Sequence, residues 1–326
     1  MPEAAAAGRR GWLVPAAGAI VLALLPLAVG PYQQDLVVKI MIFAIFALSL
    51  ELLVGQTGLV SLGHAAYFGI GAYITVLASP EYDPGSVWVL LPLAVLGAAA
   101  YALVVGALSL RTKGVYFIMV TLAFAQMAYF VFHDTKIGGG SDGIFLNLRP
   151  VLAGPGVELS LDDKRVVYYL VLGGLVVTYA LLALVLRSRF GRALAGIRVN
   201  EQRMRAAGFA TTGYKLAAFV LAGALAGMAG FFVAAKDAAV NPELLSWHES
   251  GAVLLMVILG GIGHLRGAVL GAAAFVLLKE LFSSEGLVGW LAGHWQLTLG
   301  VTIILFVAFL PKGLIGLGAR LRGLKR

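Results

Sequence analysis

Ten apolar runs, separated by short polar or charged segments, constrain this chain more than any other feature of its sequence. Most approach about 20 residues, the length that an α-helix needs to cross a hydrocarbon core about 30 Å thick. Charged residues make up only 12% of the chain, against about a quarter in an ordinary soluble domain. We therefore expect an all-α polytopic membrane protein that forms one domain over residues 1–326. The runs cover residues 11–30, 36–54, 58–78, 87–110, 115–133, 166–186, 216–235, 250–262, 267–282 and 286–310.

This pattern predicts about ten transmembrane or re-entrant helices. The runs 250–262 and 267–282 are short for full spans, so they form either two short crossings or one re-entrant hairpin. Both possibilities leave the two ends of the chain on the same side of the membrane.

The distribution of basic residues predicts the orientation of the chain. If the N-terminus is cytoplasmic, the cytoplasmic segments hold 17 of the 24 Lys and Arg residues and the external segments hold the other 7. Such an excess is typical of cytoplasmic loops. We therefore expect both termini in the cytoplasm, and the net charge of +8 requires no nucleic-acid partner.

Motifs for catalysis and metal binding are missing from the sequence. The chain has no cysteine, which excludes thiolate-based zinc and iron–sulfur sites. No GxxxxGK[ST] nucleotide loop occurs, His248-Glu249 lacks the second histidine of a zinc protease, and Ser61 lacks the glycine that begins a hydrolase elbow. We expect no catalytic residue, metal or bound cofactor, and hence no enzyme.

The stretch GQTGLVSLGHAAYFGIGAY, residues 55–73, is unusually polar and rich in glycine for a membrane span. Small residues allow helices to pack closely, and polar side chains form hydrogen bonds between them. An interrupted helix beside a watered cavity has the same composition. For each residue alone the interhelical hydrogen bond is the simpler interpretation, whereas the cluster as a whole predicts a segment next to a translocation pathway. The candidates are Glu51, Gln56, Ser61, Gly63, His64, Tyr67 and Gly69.

Two loops outside the membrane stand out. The cytoplasmic loop 187–215 carries seven basic residues and one acidic residue. Its apolar spacing predicts a short amphipathic helix from Arg192 to Arg205, followed by Gly208 at the C′ position. It is either a loop near anionic headgroups or a docking element for a cytoplasmic partner. The external loop 134–165 contains GGGSDGI and is either a turn-rich connection or a contact for an external partner.

Several segments together resemble the permeases of branched-chain amino-acid ABC importers, and most closely their M-type subunit. They are the 55–73 stretch, LRTKGVYFIMVTLAFAQM, GGGSDGI, GRALAGIRVNEQRMRAAGF, MVILGGIGHLRGAVLGA and the C-terminal PKGLIG. They follow one another in the family's order along most of the chain.

The resemblance implies one half of a permease in the bacterial inner membrane. Its partners would be a homologous H-type permease subunit, two cytoplasmic ATPase subunits that bind ATP and Mg²⁺, and a periplasmic substrate-binding protein. The loop 187–215 would then couple the permease to the ATPases. The loop residues in that role would be Arg192, Ile197, Glu201, Arg205 and Gly208.

Two other functions are compatible with the sequence. A permease of the same family could carry urea, amides or other small organic solutes, because the binding protein largely imposes selectivity. A self-contained secondary transporter would need a coupling-ion residue within the membrane, for which Glu51 and His64 are the candidates. Such a carrier would work without ATP or partner subunits.

Overall fold

The computed structural model describes residues 10–154, 157–284 and 289–316. The predicted cytoplasmic ends 1–9 and 317–326, residues 155–156 of the external loop and residues 286–288 of the last apolar run lie outside these ranges. Within them the helices are α1 Arg10–Leu24, α2 Pro31–Glu51, α3 His64–Leu77, α4 Val87–Ser109, α5 Val115–Asp134, α6 Lys164–Arg187, α7 Arg189–Val199, α8 Glu201–Ala206, α9 Thr211–Asp237, α10 Trp247–Gly260, α11 Leu265–Ser283 and α12 Trp295–Phe309.

The helices confirm an all-α multi-pass membrane protein. Within the described ranges five are long and apolar enough to cross a bilayer, namely α2 with its continuation to Thr57, α4, α5, α6 and α9. The helices α10 and α11 meet at an angle of 118° and count together as one further broken span or re-entrant pair. The remaining apolar helices, 13–27, α3 and α12, are shorter. The helix in the run 58–78, α3, is short because the first six residues of the run are not helical.

The centre of the bundle consists of α2, α3 and α9. Nearly every residue of α3 is buried, and α9 packs against both α3 and α4. A Cβ atom at Gly71 would overlap the backbone of Gly227, and one at Gly230 would overlap the backbone of Phe68. Small residues therefore bring α3 and α9 into close contact, as expected where no hydrophobic force acts between helices in lipid.

The peripheral helices present large apolar side chains outward. Leu96 on α4, Met127 on α5 and Val177 on α6 have exposed fractions of 66%, 61% and 62%. A soluble protein rarely exposes apolar surface on this scale. These faces are suited to contact with lipid.

The loops gather into two groups at opposite ends of the bundle. At the end predicted to be external, β1 Ile144–Phe145 pairs with β4 Ala239–Val240, and β2 Val151–Gly154 pairs with β3 Val157–Ser160. At the other end, the end of α2, the loop 187–215 and the α10–α11 turn lie together. This grouping agrees with the alternation of sides that the basic residues predict.

Candidate functional site

The polar stretch after α2 is an interrupted helix. The helix continues as a π-helical segment, Leu52–Thr57, and ends at Gly58, which has a left-handed φ of +74°. The Leu59 N–H donates to the Leu53 carbonyl at 3.0 Å, after which the chain is non-helical until His64. Single π-helical turns occur frequently at functional sites in helices, and α2 has one where its polar residues begin.

Glu51 is fully buried at this break. Its Oε1 accepts a hydrogen bond of 2.7 Å from the backbone N–H of Gly263 in the α10–α11 turn. The Gln56 side chain donates to the Gly263 carbonyl at 3.4 Å. A Cβ at Gly55 would overlap the Glu51 carboxylate, so any larger residue there would displace that carboxylate from its position. The side chains of Glu51, at the end of α2, and Gln56, in its π-helical continuation, thus both bind the turn between α10 and α11.

Arg198, in the last turn of α7, reaches the same break from the loop 187–215. Its guanidinium Nη1 donates to the backbone carbonyl of Gly55. A π-helical segment alters the usual pairing of helix carbonyls, and a cation is a strong partner for such a group. The interrupted helix, the loop helix and the α10–α11 turn are therefore joined. We call this group, Glu51, Gly55, Gln56, Arg198 and Gly263, the helix-break junction.

The other polar candidates of this stretch are buried among neighbouring helices. His64 Nε2 lies 2.8 Å from Ser49 Oγ, and its ring stacks on Phe46 at 5.5 Å. Its Nδ1 has no hydrogen-bond partner among the described residues. Tyr67 is 1% exposed and contacts the His64 ring edge-on. Ser61 Oγ accepts from a backbone N–H at 3.2 Å within the break itself.

The two candidate glycines mark close packing. A Cβ at Gly63 would overlap the Thr121 carbonyl of α5, and one at Gly69 would overlap the Leu245 side chain. Ser250 of α10 supplies a further contact, since its Oγ accepts from the Ala65 N–H in the first turn of α3 at 2.9 Å. The stretch is thus held on several sides by other helices.

The loop 187–215 contains two short helices rather than the single one predicted from Arg192 to Arg205. Asn200 separates them because it adopts an extended conformation, with φ −157°, and caps α8 by accepting from the Arg203 N–H at 2.9 Å. Gly208 has φ +85° and directly follows the Ala207 C-cap. The prediction of a left-handed glycine at this C′ position is confirmed.

The first of these helices, α7, packs on the helical bundle by its apolar face. Leu194 and Ile197 are buried, and α7 contacts α6, α9 and the π-helical end of α2. Arg192 lies on the exposed face and donates to the Arg187 carbonyl at 2.9 Å. Val199 is 84% exposed, which leaves an apolar side chain uncovered at the end of α7.

Glu201 fixes α8 to the start of α9. Its carboxylate accepts from Arg205 at 2.6 Å, from Thr211 Oγ1 at 3.1 Å and from Lys215 Nζ at 3.0 Å. Partial burial acts to raise the pKa of Glu201, but the hydrogen bond and charge of Lys215, helped by Thr211 and Arg205, outweigh it and hold that pKa below its usual range. The charged carboxylate therefore stabilises the loop.

Sequence comparison decides the family. Residues 33–310 match the model of the family described as branched-chain amino acid transport system, permease component. The chain belongs to this family.

Curated relatives agree with that assignment. The permease is 33% identical over 310 residues to the high-affinity branched-chain amino acid transport system permease protein LivM of Salmonella typhimurium, covering 89% of this chain and 71% of the relative. It is 32% identical over 321 residues to the LivM protein of Escherichia coli, covering 90% and 74%. No solved structure matches at a significant level. The chain is thus a multi-pass membrane member of the branched-chain amino acid permease family.

Some residues that the structure brings to the site had no signal in the permease sequence. Arg198 is one of seven basic residues in its loop, and Gly263 belongs to an ordinary glycine-rich turn. Ser49 and Ser250 are single hydroxyls in apolar runs. Only their contacts with residues far away in the chain distinguish them.

Proposed function

We propose that this permease is one of two membrane subunits of an ATP-driven importer in the bacterial inner membrane. It pairs with a homologous H-type subunit and forms half of the pathway for branched-chain or related small amino acids. Both termini face the cytoplasm, where two ATPase subunits bind ATP and Mg²⁺. A periplasmic binding protein delivers the amino acid to the opposite side.

The helix-break junction is the observation that carries this proposal. The Arg198 hydrogen bond to Gly55 connects the loop helix α7 directly to the interrupted helix α2. The Glu51 hydrogen bond to Gly263 connects α2 to the α10–α11 turn. A displacement of α7 by closing ATPases therefore acts on three membrane elements at once, and rigid-body movement of packed helices is a common means of switching between states.

The outer surface of the loop suits a protein partner. Val199, Arg203 and Phe209 are exposed beside the small residues Ala206 and Ala207. The Glu201 network holds this surface in one shape, because it fastens α8 to α9. A tether that only spans two helices would need neither caps nor such a network.

Capture of the tagged full-length chain from mild detergent tests the proposed assembly. We expect a second permease and two ATP-hydrolysing subunits to co-purify, and we expect reconstituted vesicles to take up leucine only with ATP and the binding protein. A chain that is recovered alone and moves leucine without ATP would overturn the proposal in favour of a secondary carrier.

Arg198→Met tests the coupling route within the assembled importer. We expect normal assembly and ATP hydrolysis with uptake reduced at least tenfold, because the charge-assisted hydrogen bond to Gly55 contributes about 1.5–3 kcal/mol. Arg189→Met is the matched control, since Arg189 is exposed on the same helix. Equal uptake by the two variants would contradict the coupling role of Arg198.

A further inference from the structure

A cavity of about 160 Å³ lies among α2, α10, α11 and α12, away from the helix-break junction. Its polar lining includes Lys39 of α2, Glu249 of α10 and Lys279 of α11. Glu249 lies in the first turn of α10 and Lys279 near the C-terminal end of α11. These are the ends predicted to face outward, where an imported solute enters.

The charges of this cavity are of both signs. Lys39 and Lys279 act electrostatically on Glu249, yet among the described residues neither Lys39 nor Glu249 makes a hydrogen bond or an ion pair within 4.0 Å. The Lys279 ammonium lies 5.2 Å from the centre of the Trp295 ring. Charges that are partly removed from water are costly unless a partner satisfies them.

Apart from His248, the rest of the cavity wall is apolar. Phe43, Met256 and Phe275 line the cavity together with Val276 and the Trp295 ring. An apolar cavity of about 150 Å³ holds one benzene molecule, which is larger than an isobutyl group. The space is therefore sufficient for a branched aliphatic side chain beside the charged groups.

We propose that this cavity binds the zwitterion of an apolar amino acid. The α-carboxylate lies toward Lys39, the α-ammonium lies toward Glu249, and the aliphatic side chain contacts the aromatic and aliphatic wall. The proposal rests on the proposed function for the choice of solute. It adds a substrate site within this permease, so that selectivity is not left entirely to the binding protein.

Equilibrium binding of tritiated L-leucine to the purified full-length chain tests the site. We expect unlabelled leucine and isoleucine to compete. We expect 4-methylpentanoate, which lacks the ammonium, and 3-methylbutylamine, which lacks the carboxylate, to compete at least tenfold less well, because each loses one charge-assisted contact. Equal competition by all four compounds would overturn the proposal.

Two substitutions, each of which replaces a charged side chain by a neutral one of similar size, then test the role of each charge. Glu249→Gln is expected to weaken leucine binding at least tenfold and to leave binding of 4-methylpentanoate within about twofold. Lys39→Gln is expected to weaken leucine binding equally and to spare 3-methylbutylamine. Glu158→Gln, an exposed carboxylate on β3, is the control. Each variant is expected to keep its affinity for one of the two analogues, which an unfolded protein would not do. Unchanged leucine binding in both variants would show that leucine does not bind in this cavity.

The transport assay separates this inference from the proposed function. The assembled importer could take up leucine with ATP although the isolated permease shows no charge-specific leucine binding. That result would refute the proposed binding site in the cavity and leave the proposed importer function intact. Failure of the assembled complex to import any branched-chain amino acid would instead overturn the proposed function.

Discussion

Removal of the Glu201 charge is expected to loosen the loop 187–215. Glu201→Gln keeps the size of the side chain but leaves the Lys215 ammonium, whose side chain is 8% exposed, without its counter-charge. Breaking a buried ion pair costs about 3–5 kcal/mol. The Glu201 side chain is 24% exposed, so we expect the lower value of about 2–3 kcal/mol, because water screens the remaining charge in part.

This loss raises the population of the locally opened loop about 30–150-fold, since 1.4 kcal/mol corresponds to a factor of ten in an equilibrium constant. Hydrogen exchange of the amides in residues 200–215 should accelerate by that factor, and uptake should fall with it. Gln202→Ala is the control, because Gln202 is the exposed neighbour of Glu201 on α8. If Glu201→Gln changes the exchange rate by less than threefold, the network does not hold the loop.

The pH dependence of the loop has a definite sign. The folded-state pKa of Glu201 is lower than the ordinary value of 4.5, so the carboxylate stabilises the folded loop fully above that value. The stabilisation is lost as the pH falls through the folded-state pKa. We expect wild-type exchange in residues 200–215 to approach that of Glu201→Gln at acid pH, whereas the two stay apart at neutral pH.

Three further substitutions test the packing and local conformation. Gly71→Leu should abolish recovery of folded protein, because any side chain there overlaps the α9 backbone, whereas Gly173→Leu on the exposed face of α6, with no neighbour within 4 Å, should be recovered normally in detergent. Gly208→Ala should destabilise the loop by about 1–2 kcal/mol, since Gly208 has φ +85°. Gly213→Ala, the control inside α9, should instead stabilise that helix by about 0.5–1 kcal/mol. Equal hydrogen exchange in the two variants would contradict the C′ assignment of Gly208. Ser250→Ala should lower the free energy of unfolding by about 1–3 kcal/mol in thermal denaturation, because it leaves a buried N–H of α3 without a partner, and an unchanged midpoint would refute this contribution.

Much of the architecture follows from local sequence patterns. Apolar runs and the placement of Lys and Arg predict a helical membrane protein and an alternation of loops that the structure reproduces as two groups. The spacing in the loop 187–215 predicts helix followed by a left-handed Gly208, which is confirmed. Each of these features depends on interactions within a few turns of the chain, or on the preference of a segment for lipid or water.

Hydropathy measures the composition of a segment and not its backbone path. It therefore left open whether the stretch 55–73 is interrupted and whether 250–262 and 267–282 form two crossings or one hairpin, and the break after Gly58 and the 118° bend between α10 and α11 appear only in the structure. The prediction of a single helix from Arg192 to Arg205 is wrong for the same reason. Asn200 adopts an extended conformation and caps α8, which apolar spacing does not reveal.

The sequence by itself therefore determined the class of protein, its family through shared segments, and the residue types that the site contains. Only the tertiary structure decided which of them meet. Glu51 and Gly263 are 212 residues apart in the chain, and Arg198 and Gly55 are 143 apart. A hydrogen bond between such distant groups depends on the packing of several helices at once, and no local pattern of hydrophobicity or charge carries that information.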